Sequence, residues 1–411
     1  MNTDSRTGAG QLHAGLVDLL LARGTITTGP VEAALRSVAR HPFVPGVPLE
    51  AAYAPDDAVV TRRDDAGAAL SSASAPGVVA AMLEQLGVQP GMRILEIGAG
   101  TGYNAAMLAS LTGPAGHVVT LDIDQDVTDG ARHALAAAGF GQVEVLTADG
   151  AHGHAPGGPY DRIIVTAEAW DLPSAWWQQL TTAGRLVVPL QVTGTTSRSV
   201  AFDRHDGHLT SRSMFSCGFL ALRGSGTGAQ PGPALTLGEG VRLLPGESSA
   251  LPEALAGALT TPSTRTWSGV SLRPGQPFQN LDLWLATTSP GFCRIVATPD
   301  AVAAGLATPA FRFGGATITN DADSFAYLTT RPAGQFPAAT PDGRPERELG
   351  VRAHGPQADD LTATLVEQIR RWDKEHRDAS PRIDAYLKPA QPPATAMTVI
   401  DKPESVLTVT W

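Results

Sequence analysis

The chain is short of cysteine, of charge and of long apolar runs, and each shortage closes off a class of protein. Two cysteines in 411 residues, Cys217 and Cys293, cannot build a disulfide framework. Reduced, buried thiols are the simpler reading than a single bridge between them. Charged residues make up 17% and hydrophobic residues 43%, enough apolar matter for a large core and too much for wholesale disorder. Basic residues are the scarcer sign: 30 Lys and Arg against 40 Asp and Glu leave a formal charge of −10. Gripping a phosphate backbone takes clustered Lys and Arg, so no nucleic-acid partner is expected. No apolar run reaches the roughly 18 residues a membrane helix needs. Residues 1–10 lack the apolar segment of a secretory signal. The expectation is a cytoplasmic protein with no membrane partner, of two or three domains by length, its oligomeric state left open.

The most informative stretch present is Arg93-Ile94-Leu95-Glu96-Ile97-Gly98-Ala99-Gly100-Thr101-Gly102-Tyr103. An apolar run ends in glycines at alternate positions, and a helix-permissive run follows. Strand, tight turn and helix in that order bring bare backbone and free N–H groups up to a ligand. Asp122 ends the next apolar run, 20 residues after Gly102, at the distance from which a carboxylate reaches ribose hydroxyls. Ala148-Asp149-Gly150 ends the third run, where an adenine would lie. The triplet is tighter than a dinucleotide fingerprint, and no Lys-Ser/Thr follows it, so a pyrophosphate is not indicated. An adenosine ligand without pyrophosphate points to S-adenosyl-L-methionine. The plainer readings are a solvated strand end for Glu96 and Asp122, and for Asp124 and Asp126, and a turn residue for Asp149.

From 93 to 190, short apolar runs at 93–97, 117–122, 143–147, 161–166 and 185–190 alternate with helical segments, which argues for βαβ units and a parallel sheet. Strands at 198–203 and 213–222 read as a closing hairpin turning at 204–208. Before this unit come two helices in 11–40 and a loop from Pro45 to Gly67. Leu70 to Pro76 then leads into a helix to Leu86, with Ser74 or Ala75 at its cap. After it come strands at 281–286 and 292–297, a Pro- and Gly-rich loop at 332–345, an amphipathic helix from Asp359 to His376, and a terminal strand at 406–411. This divides the chain into 1–90 (helices and acceptor-site segment), 91–223 (donor-binding domain), a linker at 224–233, and an accessory domain at 234–411. The fold class expected is α/β: a doubly wound, mostly parallel sheet with N-terminal helices and an additional C-terminal α+β domain.

Residues 11–222 resemble the protein-L-isoaspartate (D-aspartate) O-methyltransferases. The resemblance rests, in order, on Val38-Ala39-Arg40-His41-Pro42-Phe43-Val44-Pro45, Ala52-Tyr53, Ser72-Ala73-Ser74-Ala75-Pro76, Glu96 to Tyr103, Ala148-Asp149-Gly150, Pro159 to Ala167 and Gly184 to Pro189. It implies a class I methyltransferase fold, with S-adenosyl-L-methionine as donor and S-adenosylhomocysteine as product. The donor site implied is Glu96, Gly98, Ala99, Gly100, Thr101, Gly102, Tyr103, Asp122, Ile123, Ala148, Asp149 and Gly150. The hydroxyl of Ser74, beside Ser72, is implied to hold the acceptor carboxylate, against the plain alternative of a helix cap. Ser72-Ala73 departs from the family's Thr-Ile. Arg40, His41, Tyr53 and Ala75 are the substrate-facing candidates, with helix capping as the bland reading of Arg40 and His41. His152 and His154 lack a third ligand at metal spacing, so no metal is expected.

The extra length resembles family members that modify ribosomally made peptides such as lanthipeptides, graspetides and lasso peptides. That likeness implies methylation of an Asp in a cyclised precursor peptide, with the ester collapsing to aspartimide or isoaspartate. Repair of isoaspartyl proteins, and an inactive S-adenosyl-L-methionine-binding partner protein, are the alternatives.

Overall fold

The computed structural model describes residues 3–194, 197–205, 207–225, 232–246, 251–273, 278–311, 314–320, 322–333, 346–396 and 398–411. Three N-terminal helices, α1 (Thr3–Ala22), α2 (Gly29–Ser37) and α3 (Leu49–Ala52), precede a hairpin of β1 (Val59–Arg63) and β2 (Ala69–Ala73), and then α4 (Pro76–Leu86). The hairpin falls where a loop and a lead-in were expected. Its strands are too short and too half-exposed to show a period in sequence.

The main unit runs β3 (Arg93–Ile97), α5 (Tyr103–Thr112), β4 (His117–Asp122), α6 (Gln125–Ala137), β5 (Glu144–Thr147), β6 (Tyr160–Val165), α7 (Ser174–Gln179) and β7 (Leu180–Leu190). β3 pairs in parallel with both β4 and β6, and β5 and β7 extend the sheet outward in parallel. Ile94, Leu95, Ile97, Val119, Ile163 and Ile164 are buried, which is why these strands read as continuous apolar runs: helices cover both faces. The order β5-β4-β3-β6-β7 reverses direction between β3 and β6, the switch point at which such sheets bind ligands at their strand ends. β8 (Arg198–His205) and β9 (His208–Ser216) add the expected antiparallel hairpin. The second strand stops at Ser216, so 217–222 is free to cross the strand ends instead of joining the sheet.

The chain then builds a second, seven-stranded sheet from β10 (Leu235–Gly238), β11 (Val241–Pro245), β12 (Ser263–Leu272), β13 (Phe292–Ala297), β14 (Gly315–Thr319), β15 (Phe325–Pro332) and β16 (Arg347–His354). Between its strands lie α8 (Gln279–Thr288) and α9 (Pro299–Ala303); α10 (Ala358–Glu375) follows. All its pairings are antiparallel. The amphipathic helix expected near 359–376 is α10, which packs Leu365, Ile369 and Trp372 on this sheet. The strand expected at 281–286 is instead α8. Leu281-Asp282-Leu283-Trp284-Leu285 alternates as a half-buried strand would, but the helix is enclosed on two sides. Leu283 joins the core of the first sheet, and Leu281, Trp284 and Leu285 join that of the second.

The chain ends in β17 (Arg382–Leu387), β18 (Thr398–Asp401) and β19 (Ser405–Thr410). β17 pairs antiparallel with β9, so these strands lengthen the first sheet to ten, in the order β18-β19-β17-β9-β8-β7-β6-β3-β4-β5. The boundary expected at 234 therefore does not separate the sheets: 382–410 belongs to the first sheet. Asp171, just beyond β6, fixes this return by accepting from Glu404 N and Ser405 Oγ, both at 2.6 Å. Trp411 packs between the two sheets against Trp284, ring centroids 5.4 Å apart. Residues 226–231 of the expected linker and 334–345 of the expected loop lie outside the described residues.

Candidate functional site

A cleft opens at the switch point. Its floor is the glycine turn after β3. Gly98, Gly100 and Gly102 have φ of 102°, 50° and 85°, a region that costs other residues strain. A Cβ on Gly98 would stand 2.3 Å from Thr166 Oγ1, which donates to the Gly98 carbonyl at 2.7 Å. Gly102 is the N-cap of α5 and backs onto Leu135, so it shapes the turn from behind and does not line the cleft. Gly98, Ala99, Gly100, Thr101 and Tyr103 do line it.

Glu96 is fully buried and accepts from Asn104 Nδ2 at 2.7 Å and Thr120 Oγ1 at 2.6 Å. Burial pushes its carboxyl up to about 7, against those two hydrogen bonds and with help from the nearby Asp122 charge. Asp122 ends β4 and, among the described residues, accepts long bonds from Gly100 N at 3.2 Å and Asp124 N at 3.3 Å. Burial raises its pKa too, and its lone pairs retain capacity for further donors. Neither is a solvated strand end. Asp124 is not one either. Its Oδ2 takes Arg223 Nη2 at 2.5 Å and Arg62 Nη1 at 3.1 Å, and the Arg223 bond holds its pKa down. This trio ties the β1–β2 hairpin to the 219–223 segment across the cleft.

The far wall carries Ser71, Ser72 and Ser74. The helix after them is capped by Ala75, and no side chain caps it. The Ser74 hydroxyl therefore has no capping role, and it faces the same cleft as the glycine turn. Arg40 lines the cleft as well. The other substrate candidates do not: His41 Nδ1 is 2.8 Å from the Tyr53 hydroxyl, His13 stacks on Tyr53, and Ala75 is buried in the cap. His41 and Tyr53 spend their polar atoms on each other, and Ala75 is the buried N-cap of α4. Ile123 and Gly150 line the cleft, whereas Ala148 lies behind it, its N–H bonded to Asp122 O. Asp149 is turned away: its carboxylate accepts from Ala151 N at 3.0 Å and from Ser225 N and Oγ, each at 2.7 Å. Burial opposes its ionisation, but these donors outweigh it and its pKa is lowered. His152 and His154 hold Ser225 Oγ and Glu144, at 3.3 and 3.9 Å.

Sequence reasoning missed Thr166, Ala167, Asn104 and the Phe219–Arg223 segment, all of which line the cleft. Thr166 and Ala167 lie inside a motif that carried the family resemblance and had a signal; the 219–223 segment was hidden in an expected strand.

A carboxylate at the end of the second strand, glycines at the end of the first and the open end of a helix match the shape and polarity of S-adenosyl-L-methionine, and the Cβ clash at Gly98 shows why the turn must stay bare. Fold and site together define a class I S-adenosyl-L-methionine-dependent methyltransferase.

The model of the family Protein-L-isoaspartate(D-aspartate) O-methyltransferase (PCMT) matches residues 11–226. The Protein-L-isoaspartate O-methyltransferase of Methanopyrus kandleri is 36% identical over 51% of this chain and 90% of its own length. Protein-L-isoaspartate O-methyltransferase 1 of Rhodopseudomonas palustris is 38% identical over 50% and 79%. Among solved structures, a putative protein-L-isoaspartate O-methyltransferase from Plasmodium falciparum in complex with S-adenosyl-L-homocysteine is 20% identical over 51% of this chain and 98% of its own, with a TM-score of 0.46. The chain belongs to the protein-L-isoaspartate (D-aspartate) O-methyltransferase family.

Proposed function

We propose that this enzyme methylates an isoaspartyl carboxylate in a protein or peptide, with Ser74 holding the acceptor. The observation that carries this reading is the Ser74 hydroxyl, uncommitted to a cap, in one cleft with the glycine turn and Asp122. S-adenosyl-L-methionine, when bound, supplies a methyl group on a sulfonium, open to in-line displacement. Glycines 98 and 100 would bring bare backbone to it, and Asp122 would accept from its ribose hydroxyls. The free carboxylate of an isoaspartyl residue is its α-carboxyl, with an ordinary pKa of about 3.5, and is already the nucleophile at pH 7, so the chain needs only to desolvate and align it. Ser74 donates to one oxygen while the other attacks. Glu96 is no base in this scheme, because Asn104 and Thr120 occupy both its oxygens. The relatives' names favour the isoaspartyl acceptor, since each aligns over most of its own length.

A second reading, an Asp side chain in a cyclised precursor peptide with the ester collapsing to aspartimide, is favoured by one feature. Residues beyond 226 lie outside the family match, yet they are bound into the sheet through β17 and Asp171. Mass spectrometry separates the two. A product heavier by one methylene on a linear isoaspartyl peptide, with none on a cyclised Asp peptide, supports the first. The reverse, or loss of methanol from the methylated cyclised peptide (a net loss of water from the starting peptide), supports the second. Tight S-adenosyl-L-methionine binding without transfer to either would leave the inactive-partner reading.

A further inference from the structure

Arg40 is only 1% exposed, one of the largest side chains fully enclosed in the fold. Its Nη2 donates to Ala73 O at 3.2 Å. Its Nε and Nη1 are buried and reach no acceptor among the described residues, and none of those residues supplies a carboxylate to it. The Tyr103 ring lies under it, 5.0 Å from the guanidinium carbon, and offsets part of the charge. Burial lowers its pKa, yet a guanidinium does not lose its proton in a protein, so the charge stays. A buried, unpaired cation costs several kcal/mol, and an orphaned pair of donors calls for an explanation.

The explanation lies in its position. Arg40 lines the cleft together with Ser72, Ser74 and Gly100. Its two neighbours, Ala73 and Tyr103, belong to the acceptor strand and to the helix after the glycine turn. We propose that Arg40 is a carboxylate receptor, its planar fork completing its hydrogen bonds only when a carboxylate enters the cleft. The inference rests on the methyltransferase reading of the site. Two carboxylates enter in that reaction, that of the methyl donor's amino-acid tail and that of the acceptor. The donor's is the better fit, since pairing with Arg40 would blunt the nucleophilicity of the one that must attack. With the ribose at Asp122, the amino-acid tail would run towards Tyr103.

Calorimetry on the full chain tests this, with S-adenosyl-L-homocysteine and its decarboxylated analogue, S-adenosyl-3-thiopropylamine, as probes. The wild type is expected to prefer the carboxylate-bearing ligand on the order of 30-fold. Arg40→Gln is expected to erase that preference, and Arg40→Lys to restore part of it, with the isoaspartyl-peptide KM changed less than threefold. A preference that survives Arg40→Gln while the peptide KM rises on the order of 30-fold assigns Arg40 to the acceptor carboxylate instead. Should Arg40→Gln fail to fold, the wild-type ratio and Arg40→Lys carry the test. Equal binding of the two probes by the wild type, with a normal peptide KM in Arg40→Lys, overturns the proposal. Failure of the wild type to bind either probe overturns the methyltransferase reading itself.

Discussion

The two sheets of this molecule solve different problems. The first, at its parallel end, is covered by helices on both faces and keeps its strand ends open around a cleft. The second is antiparallel throughout and packs α10 and α8 on one face. They are not side-by-side modules: β17, β18 and β19 return from the second region to extend the first sheet, and α8 contributes to both cores. The difference teaches that the glycine turn is a local product of one short loop, whereas the extension is held by contacts between residues more than 200 positions apart, such as Asp171 with Ser405.

Four measurements would break or sharpen this contrast. The largest effect is expected from Gly98→Ala, which places a Cβ 2.3 Å from Thr166 Oγ1 at φ 102°. S-adenosyl-L-homocysteine affinity should fall on the order of 100-fold by calorimetry. Gly257→Ala in the second region, with nothing within 4 Å, should leave it unchanged. Equal effects at the two positions would mean that the donor site is not local.

Glu96 comes next. In the fold it keeps its proton up to about 7, against an ordinary value of 4.5. Between those values the folded chain holds the extra proton, so stability falls as pH rises through that window, by up to roughly 3 kcal/mol. Denaturant unfolding at pH 5 and pH 8 should show this decline in the wild type and a flatter profile in Glu96→Gln.

Asp171→Ala would orphan Glu404 N and Ser405 Oγ and should cost about 2 kcal/mol, read by urea unfolding. One cooperative transition, shifted as a whole, is expected. Two transitions of which only one moves would show that the sheets unfold independently. The smallest effect is Ser74→Ala, which should lower kcat on the order of tenfold while S-adenosyl-L-homocysteine affinity stays within about twofold. Unchanged turnover would remove Ser74 from the reaction.

Much of the first region was legible. β3, β4, β5 and β6 lie within a residue or two of the expected runs, because a strand buried on both faces has little choice but to be apolar throughout. The glycine turn and the position of Asp122 were legible for the same kind of reason: both are set by backbone geometry within a few residues. His41 and Tyr53 were not, because the direction of a side chain at a turn depends on what packs behind it, here His13. Asp149 was not either, since its carboxylate is claimed by Ser225, 76 residues away in sequence.

By itself the sequence determined the parallel core, the bare glycine turn, the carboxylate at Asp122 and the hydroxyl-rich stretch before α4 (though not that this stretch is a strand), since each follows from local propensity and spacing. Only the tertiary structure decided that Ser74 is spared from capping, that Arg40 is enclosed at the cleft with no counter-charge among the described residues, that α8 is a helix, and that 382–410 closes the first sheet. Those outcomes depend on which distant surfaces meet. A helix enclosed on two sides carries no period that tells it from a strand, and a strand's partner is chosen by the edge left open to it.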